Sequence, residues 1–455
     1  MLIDTHCHLD FSDFDLDRDA VIERAARAGV GRIINIGSSV EGTRRSVELA
    51  SKYGMAYAAI GVHPHHAETV TDALIEDFRR LARETRKVVA IGEVGLDYYR
   101  NESPKESQVA AFKKFIGLAR SVDLPIIIHT READTDITDI MRREGRGLRG
   151  VVHCFSGDER FLRECLDLGL FVSFTCNLTF KNAKALREVA KKMPVERLLL
   201  ETDAPYLAPQ AMRGKRNEPA HLTYLVEEWS RLIGLSKEDI GRVTTHNANA
   251  LFRLGLDEPV TAVYPIRDSL YLNITNRCTN DCSFCIRTQS SFVKGHNLKL
   301  EGEPAADEIV AAVGDPKRYK EIVFCGYGEP TIRFDDVKAI CRKLKEKGAA
   351  IRLVTNGHGD MINKRPIAAE LSGLVDRVSV SLNAESAEKY NGLCKPHFGP
   401  EAYGKILAFI KDCVARGIET EVTCLDLPGV DIKRCEEIAA GLGARFRLRS
   451  YGIVG

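Results

Sequence analysis

Residues 2–8 read LIDTHCH, a short apolar run that ends in two histidines, and the same pattern recurs through the first half of the chain. Seven further runs follow, each separated from the next by a longer amphipathic stretch. They are GRIINIG (31–37), MAYAAIGVH (55–63), VVAIGEVGLD (88–97), LPIIIHT (124–130), GVVHCFS (150–156), LFVSFT (170–175) and RLLLETD (197–203). Eight alternating strand and helix units predict an α/β fold whose parallel strands close a (β/α)8 TIM barrel.

A second alternation begins after the stretch GLDEPVTAVYPIRD (255–268), which loses the periodicity and is typical of a linker. We therefore place a boundary near Glu258 and predict two domains, 1–257 and 258–455. The runs of the second domain are SLYLNIT (269–275), EIVFCGYGE (321–329), IRLVTNG (351–357), VSVSLNA (378–384), ETEVTCL (419–425) and ARFRLRSYG (444–452). Six such units predict an open, partial (β/α)6 barrel.

The composition excludes some classes of protein. The chain has 455 residues, and 65 Lys and Arg balance 64 Asp and Glu, so no global field attracts nucleic acid or a membrane. A polyanionic substrate must therefore be held locally. The first ten residues are too polar for a secretory signal, and no later stretch approaches a membrane span. Because the 13 cysteines are diluted through a large chain, we expect a cytoplasmic, reducing environment rather than a disulfide framework.

Polar side chains that bind metals end five of the first eight runs. Because the carboxyl ends of barrel strands converge on one mouth, these side chains are expected to be neighbours. They are His6, His8, Glu93, His129, His153 and Asp203. Four imidazoles and two carboxylates suit a pair of divalent cations with a bridging carboxylate. Any one of these histidines alone could be an ordinary, partly buried histidine, but that interpretation does not explain all six residues together. We interpret His65 and His66 as ordinary loop residues.

The motifs around these residues carry a family resemblance. They are THCHLD (5–10), GVHPH (61–65), GEVGLDYY (92–99), IIIHTREA (126–133), HCFSG (153–157), ETDAPYLAP (201–209) and RGKRNEP (213–219). Over residues 1–253 they resemble, in order, the TatD family of metal-dependent hydrolases. The resemblance implies a phosphodiesterase that acts on DNA. It also implies that one metal is held by His6, His8, Glu93 and Asp203, and the other by Glu93, His129 and His153.

Further roles are predicted around this metal pair. A metal pair activates water and stabilises both the attacking and the leaving oxygen in a phosphoryl displacement, with Glu93 as the shared ligand. Asp203 is the candidate base that accepts the proton of the water. His63, Arg213 and Arg216 are candidates to hold a substrate phosphate, although the two arginines also fit an ordinary solvated basic loop. Mg, Mn and Zn all remain candidates for the ions.

Three cysteines lie close together in the second domain. Residues 277–287 read RCTNDCSFCIR, with Cys278, Cys282 and Cys285 in a CxxxCxxC arrangement directly after a run. Three thiolates on one loop can bind three corners of a 4Fe-4S cluster and leave one iron open. A zinc site would need a fourth ligand, for which Cys325 is the alternative. The other cysteines of this domain are interpreted as ordinary thiols: Cys341, Cys394, Cys413, Cys424 and Cys435.

From about residue 269 onward, the cysteine motif, GYGEP (326–330), TNG (355–357) and SLNA (381–384) resemble the radical SAM superfamily. The resemblance implies that S-adenosylmethionine chelates the open iron and that the reduced cluster cleaves it to a 5′-deoxyadenosyl radical. It implies contacts to the methionyl amino group from Tyr327, Gly328 and Glu329. It implies contacts to the ribose and carboxylate from Asn356, Ser381 and Asn383. Tyr327 stands where the commoner motif has glycine.

Together these patterns predict a bifunctional enzyme, a metal-dependent hydrolase joined to a radical SAM enzyme. A DNA or nucleotide substrate would suit both domains, and the cluster requires an electron donor. The alternative is a small-molecule ester or amide hydrolase, or a substrate-binding module, attached to a radical enzyme that acts on a metabolite or peptide. A regulatory protein that only senses metal, redox state or S-adenosylmethionine would be expected to have lost some of these ligands. The matched ligands are intact in both halves.

Overall fold

The computed structural model describes residues 1–450. The chain divides into two compact units, Met1–Asp257 and Glu258–Gly455. The last two residues of the run 444–452 lie outside the described residues. No helix among the described residues is both long enough and apolar enough to cross a lipid bilayer.

The first unit contains eight parallel strands in sequential order, which confirms the predicted barrel. The strands are β1 (Leu2–Cys7), β2 (Val30–Ile36), β3 (Ala56–Ile60), β4 (Val88–Asp97), β5 (Ile126–Arg131), β6 (Gly150–Val152), β7 (Phe171–Phe174) and β8 (Leu198–Leu200). The ends of the sheet meet where Cys7 bridges Ala204, and the His8 N–H donates to the Ala204 carbonyl over 2.8 Å. This closure places the ends of β1 and β8 side by side.

Nine helices surround this sheet. They are α1 (Arg18–Arg27), α2 (Val40–Lys52), α3 (Asp72–Glu84), α4 (Lys105–Val122), α5 (Asp134–Arg143), α6 (Glu159–Asp167), α7 (Lys184–Ala190), α8 (Leu222–Ile233) and α9 (Lys237–Phe252). Local signals set several boundaries. The Ser39 side chain caps α2, Ser236 and Asp239 form a capping box at α9, and Gly234 ends α8 in the left-handed conformation at φ 66°. The apolar helix faces pack on the strands to form the core.

The second unit is built on a seven-stranded sheet in the order β17-β16-β15-β14-β13-β10-β9. Its strands are β9 (Val263–Ile266), β10 (Ser269–Leu272), β13 (Ile322–Phe324), β14 (Ile351–Thr355), β15 (Arg377–Ser381), β16 (Glu419–Asp426) and β17 (Arg445–Ser450), with a separate hairpin of β11 (Phe292–Val293) and β12 (His296–Asn297). The six parallel strands confirm the predicted repeat. The strand β9 corrects the linker prediction, because residues 263–266 pair antiparallel with β10.

Within residues 258–450, seven α-helices cover one face of this sheet. They are α10 (Ala306–Val313), α11 (Phe334–Glu346), α12 (Gly359–Asn363), α13 (Ala368–Leu371), α14 (Ala387–Cys394), α15 (Ala402–Ala415) and α16 (Ile432–Gly441). The strand residues that pack against them are apolar, for example Phe324, Leu353 and Val380. The alternate residues of the same strands are largely polar and face away from the helices. The sheet therefore has an apolar, helix-covered face and a polar open face.

Candidate metal centre and cluster loop

Four of the predicted metal ligands converge at the closure of the barrel. The Nε2 atoms of His6 and His8 lie 3.2 Å apart. The Asp203 Oδ1 atom lies 3.6 Å from the His6 Nε2 and 3.5 Å from the His8 Nε2. The Glu93 Oε2 atom lies 3.5 Å and 3.8 Å from the same two nitrogens. Two imidazole nitrogens and two carboxylate oxygens thus surround one point.

The other oxygen of Glu93 belongs to a second cluster of donor atoms. Glu93 Oε1 lies 2.7 Å from His129 Nδ1 and 2.8 Å from His153 Nε2. The two histidine nitrogens are 3.1 Å apart. One carboxylate therefore joins two donor sets, one with each oxygen. The residues present fit a pair of divalent cations, because such a pair prefers mixed nitrogen and oxygen ligands with a shared carboxylate.

The backbone explains how these side chains are aimed. His6 lies on β1, and the backbone N–H of Asp203 donates to the His6 carbonyl over 2.9 Å. This hydrogen bond joins Asp203, which follows β8, to the strand at the other edge of the sheet. Asp203 adopts a left-handed conformation with φ 56°. The Nδ1 atom of His8 lies 3.2 Å from the Ile36 carbonyl, where its N–H can donate, which leaves the Nε2 lone pair for a ligand bond.

The charges at the site favour added positive charge. Although burial opposes the shift, the neighbouring histidines hold the pKa of Glu93 well below its usual value. The pKa of Asp203 is likewise lowered against burial, chiefly by the hydrogen bond to His8. Burial lowers the pKa of His6. Despite burial, Asp203 and Glu93 raise the pKa of His8 to about 9. Ionised carboxylates that stabilise protons on nearby imidazoles also attract cations at the same place.

The three predicted phosphate contacts make different contacts of their own. His63 lies at the site, with its Nε2 atom 3.5 Å from Glu93 Oε1. Arg213 is exposed and its guanidinium stacks 4.4 Å from the centre of the Phe180 ring. Arg216 is already paired, because its Nη2 donates to Asp17 over 2.7 Å. The prediction that Arg216 is available to a phosphate therefore does not fit its contacts.

Three residues next to the site were missed or misread from the sequence. Asp97 ends β4, and its Oδ2 lies 3.4 Å from His129 Nε2 and 2.9 Å from His65 Nε2. His65, interpreted above as an ordinary loop histidine, thus supports a carboxylate that faces a ligand. Glu201 Oε1 lies 3.6 Å from His153 Nδ1 and accepts from the Cys154 N–H. The sequence did contain a signal for Asp97 and Glu201, since both carboxylates lie at or just beyond the end of a strand.

In the second unit, the three motif cysteines lie on the loop after β10 as partly exposed free thiols. The Asn356 Nδ2 donates to the Cys278 sulfur over 3.8 Å, and the Arg287 Nε donates to the Cys285 sulfur over 3.4 Å. Donors aimed at sulfur are typical of cluster ligands, whose charge they stabilise. The loop thus provides three thiols with hydrogen-bond donors in place.

The spacing of the cysteine sulfurs distinguishes a cluster from a zinc ion. Among the described residues, no set of three motif sulfurs lies within 4.8 Å of one another. Tetrahedral zinc, with bonds of about 2.3 Å, needs sulfurs roughly 3.8 Å apart. The three sulfurs are therefore not all at the spacing of a preformed tetrahedral zinc site. Cys394, interpreted as an ordinary thiol, does contact this loop: its carbonyl accepts from the Asp281 N–H over 3.1 Å.

A buried polar network anchors the cluster loop. Thr279 Oγ1 lies 2.8 Å from His358 Nδ1, and the other nitrogen of this fully buried ring lies 3.0 Å from the Tyr390 hydroxyl. The Asn280 side chain donates to the same hydroxyl over 3.0 Å. Burial lowers the pKa of His358 to about 4, so the ring stays neutral and can bond at both nitrogens.

The glutamate of the GYGEP motif lies in a buried hydrogen-bond network. Glu329 is buried, and its carboxylate accepts from Thr331, Thr355 and the Asn356 N–H. It therefore joins the segments that follow β13 and β14 through hydrogen bonds. The Tyr327 N–H donates to the Asn273 side chain over 2.9 Å. A Cβ at Gly328 would collide with the carbonyls of Thr275 and Arg277, so glycine permits the close approach to the cluster loop.

The other three predicted SAM contacts lie at neighbouring strand ends. Asn356 directly follows β14 and donates to Thr279 Oγ1 over 3.0 Å. Ser381 ends β15, and Asn383 follows it in a left-handed conformation with φ 58°. These positions share the carboxyl edge of the sheet with the cysteine loop, where ligands of open α/β sheets bind.

Comparison with known proteins assigns both halves. Residues 3–253 match the family model of the TatD-related DNases, and residues 272–440 match that of the radical SAM superfamily. The first half is 44% identical over 255 residues to the uncharacterized metal-dependent hydrolase YabD of Bacillus subtilis, covering 56% of this chain and 100% of YabD. It is 38% identical over 263 residues to the 3′-5′ ssDNA/RNA exonuclease TatD of Musicola paradisiaca, covering 56% and 98%. The crystal structure of the Escherichia coli TatD homologue YJJV superposes with a TM-score of 0.53 at 34% identity, covering 56% and 98%.

Proposed function

We propose, for a chain that belongs to the TatD-related DNase family and carries a radical SAM domain after it, that the first domain removes nucleotides from the 3′ end of single-stranded nucleic acid. The chain is a metal-dependent hydrolase of the TatD type, and its similarity to a 3′-5′ ssDNA/RNA exonuclease supports this substrate class. The observation that carries the proposal is Glu93, which presents one oxygen to each of two donor sets.

The proposed mechanism assigns a task to each residue of the metal centre. Two divalent cations supply Lewis acidity, which activates water and stabilises charge on phosphoryl oxygens. His6, His8, Glu93 and Asp203 would hold one cation, and Glu93, His129 and His153 would hold the other. Asp203 is ionised and accepts the proton of the attacking water. His63, next to Glu93, orients the phosphate, and Arg213 in its exposed loop attracts the neighbouring one.

For the second domain we propose radical chemistry on a nucleotide-derived substrate. A 4Fe-4S cluster and S-adenosylmethionine would supply radical chemistry when bound, and the cluster would need an electron donor as a partner. Cys278, Cys282 and Cys285 would hold the cluster, and Arg287 and Asn356 donate to two of the three sulfurs. A nucleotide product of the first domain would be a suitable substrate for the second. The pairing of the domains in one chain supports this shared substrate class.

One anaerobic preparation tests both activities. The protein is loaded with iron and sulfide, reduced with dithionite, and assayed for conversion of S-adenosylmethionine to 5′-deoxyadenosine. The same preparation is given 3′- or 5′-labelled single-stranded DNA with Mg²⁺ or Mn²⁺. We expect both reactions, with mononucleotides released from the 3′ end. Cleavage of S-adenosylmethionine without any nucleic acid degradation would discard the nuclease proposal and favour a small-molecule hydrolase or a substrate-binding module.

A further inference from the structure

The open face of the second sheet carries an unusual concentration of arginine and glutamate. Along β17, Arg445, Arg447 and Arg449 alternate with Phe446 and Leu448, so the three guanidiniums share one face. Phe446 packs with the helix-covered core, which identifies the arginine face as the open one. Near the amino ends of the strands this face lines a cavity of about 370 Å³. Charged side chains therefore line the open face of this sheet.

Carboxylates partner the arginines near the amino ends of the strands. Arg352 pairs with Glu321 at 2.8 Å, and Arg377 pairs with Glu419 at 3.2 Å. On β17 itself, Arg445 pairs with Glu419, and Arg447 lies 3.9 Å from Glu421. Each of these four arginines thus has a glutamate within ion-pair distance, and Arg377 and Arg445 share Glu419.

The pairing of arginines with glutamates stops at Arg449, the arginine of β17 that lies nearest the carboxyl edge of the sheet. On β16 the residue paired with Arg449 is Leu425. Among residues 1–450 the structure records no carboxylate within ion-pair distance of Arg449, although the residue is only partly exposed. Arg449 is the next-to-last residue of β17, and because β17 runs parallel to β10 through the sheet, its carboxyl end lies at the same edge as the cysteine loop that follows β10. The unbalanced guanidinium therefore faces the edge of the sheet where the cysteine loop lies.

We propose that Arg449 binds an oxyanion, a phosphate or a carboxylate, of the molecule on which the radical domain acts. The proposal rests on the radical function proposed above and specifies its substrate as an anion. A guanidinium on a concave face gains most from a planar or tetrahedral oxyanion, to which it can donate two hydrogen bonds. The glutamates further down the barrel exclude an anion from that region, so the charge pattern confines it to the carboxyl edge.

Arginine labelling of the cluster-loaded wild-type chain tests this directly. The protein is treated anaerobically with phenylglyoxal, and modification of each arginine is followed by peptide mass spectrometry. The probes are inorganic phosphate and acetate, each added in the presence of S-adenosylmethionine. We expect phosphate, acetate or both to slow labelling of Arg449 by about tenfold or more at saturation, because a bound anion blocks the guanidinium. Arg447, which already has a glutamate partner, is the matched control and should label at an unchanged rate.

The probes also separate the possible sources of the anion. Stronger protection by phosphate indicates a phosphate ester, and stronger protection by acetate indicates a carboxylic acid. Protection of Arg449 by S-adenosylmethionine alone would overturn the proposal, since the arginine would then bind the methionyl carboxylate. Equal labelling of Arg449 with and without both anions would also overturn it. Because labelling needs no turnover, failure of the radical reaction itself would be seen separately, in the 5′-deoxyadenosine assay.

Discussion

The metal centre and the cluster loop are built in opposite ways. The six metal ligands come from five different strand ends, and their donor atoms lie within hydrogen-bonding or ion-pair distance of one another. The three cysteines come from one loop, and their sulfurs are farther apart as a set. In the first site the barrel positions the ligands, whereas in the second a polar network positions the loop as a unit. Single substitutions should therefore affect the two sites differently.

The largest effect is expected from Glu93→Gln, which removes the only carboxylate shared by both donor sets. A neutral amide cannot bridge two cations, so binding of both should weaken. Nuclease activity should fall by more than about a hundredfold, which is a larger loss than the removal of a residue that only orients a metal ligand would cause. Metal content and DNA degradation are measured together. Formation of 5′-deoxyadenosine by the same variant serves as the control, and a parallel loss of it would show that the two sites are not independent.

The second prediction compares two cysteines at the loop. Cys282→Ala should lose the cluster and reduce 5′-deoxyadenosine formation to background, because two thiolates cannot retain the site. Cys394→Ala, a buried neighbour outside the motif, should keep it. Iron per chain and the visible absorption of the cluster are the measurements. Loss of iron in Cys394→Ala to the level of Cys282→Ala would contradict the assignment of three ligands.

The third prediction concerns the positioning residue Asp97 and its support, His65. Asp97→Asn should weaken binding of one of two Mn²⁺ equivalents by about 10- to 100-fold, since His129 loses the carboxylate that orients its ring. His65→Gln should have a smaller effect, and the exposed neighbour His66→Gln none. Mn²⁺ titration and thermal unfolding are compared. Equal weakening of both equivalents, together with a lower melting temperature, would indicate a merely structural role.

The smallest effects are expected in the loop 213–219. Arg213→Gln should raise the KM for single-stranded DNA about threefold, because an exposed charge contributes little in high dielectric. Arg216→Gln should leave KM unchanged and lower the free energy of unfolding by up to about 1 kcal/mol, since its pair with Asp17 is partly exposed. Steady-state kinetics and urea unfolding distinguish them. A larger KM change in Arg216→Gln would mean that the pair opens to bind substrate.

Much of the fold could be predicted because strand and helix periodicities are local properties of the sequence. All eight apolar runs of the first half became strands in sequential order. The antiparallel strand β9 was missed, since residues 263–266 include a proline and show no clear alternation. Such an edge strand forms only because β10 offers unpaired backbone groups beside it.

The candidate site could be predicted from the sequence to about the same extent as the fold. The ligand-type residues at strand ends could be named because topology alone brings those ends together. The tasks of Glu329 and Arg216 could not be read from motifs, because each depends on partners distant in sequence. Glu329 accepts from Thr355 and Asn356, and Arg216 binds Asp17, 199 residues away.

The sequence by itself determined the order of strands and helices, the two groups of ligand residues and the family of each half. It did so because periodicity and motif spacing are properties of the linear sequence. Only the tertiary structure decided that each oxygen of Glu93 faces a different donor set, that Asp97 lies beside His129, and that no carboxylate within residues 1–450 pairs with Arg449. These facts depend on distances between side chains from different strands, and the closure and register of the sheets set those distances.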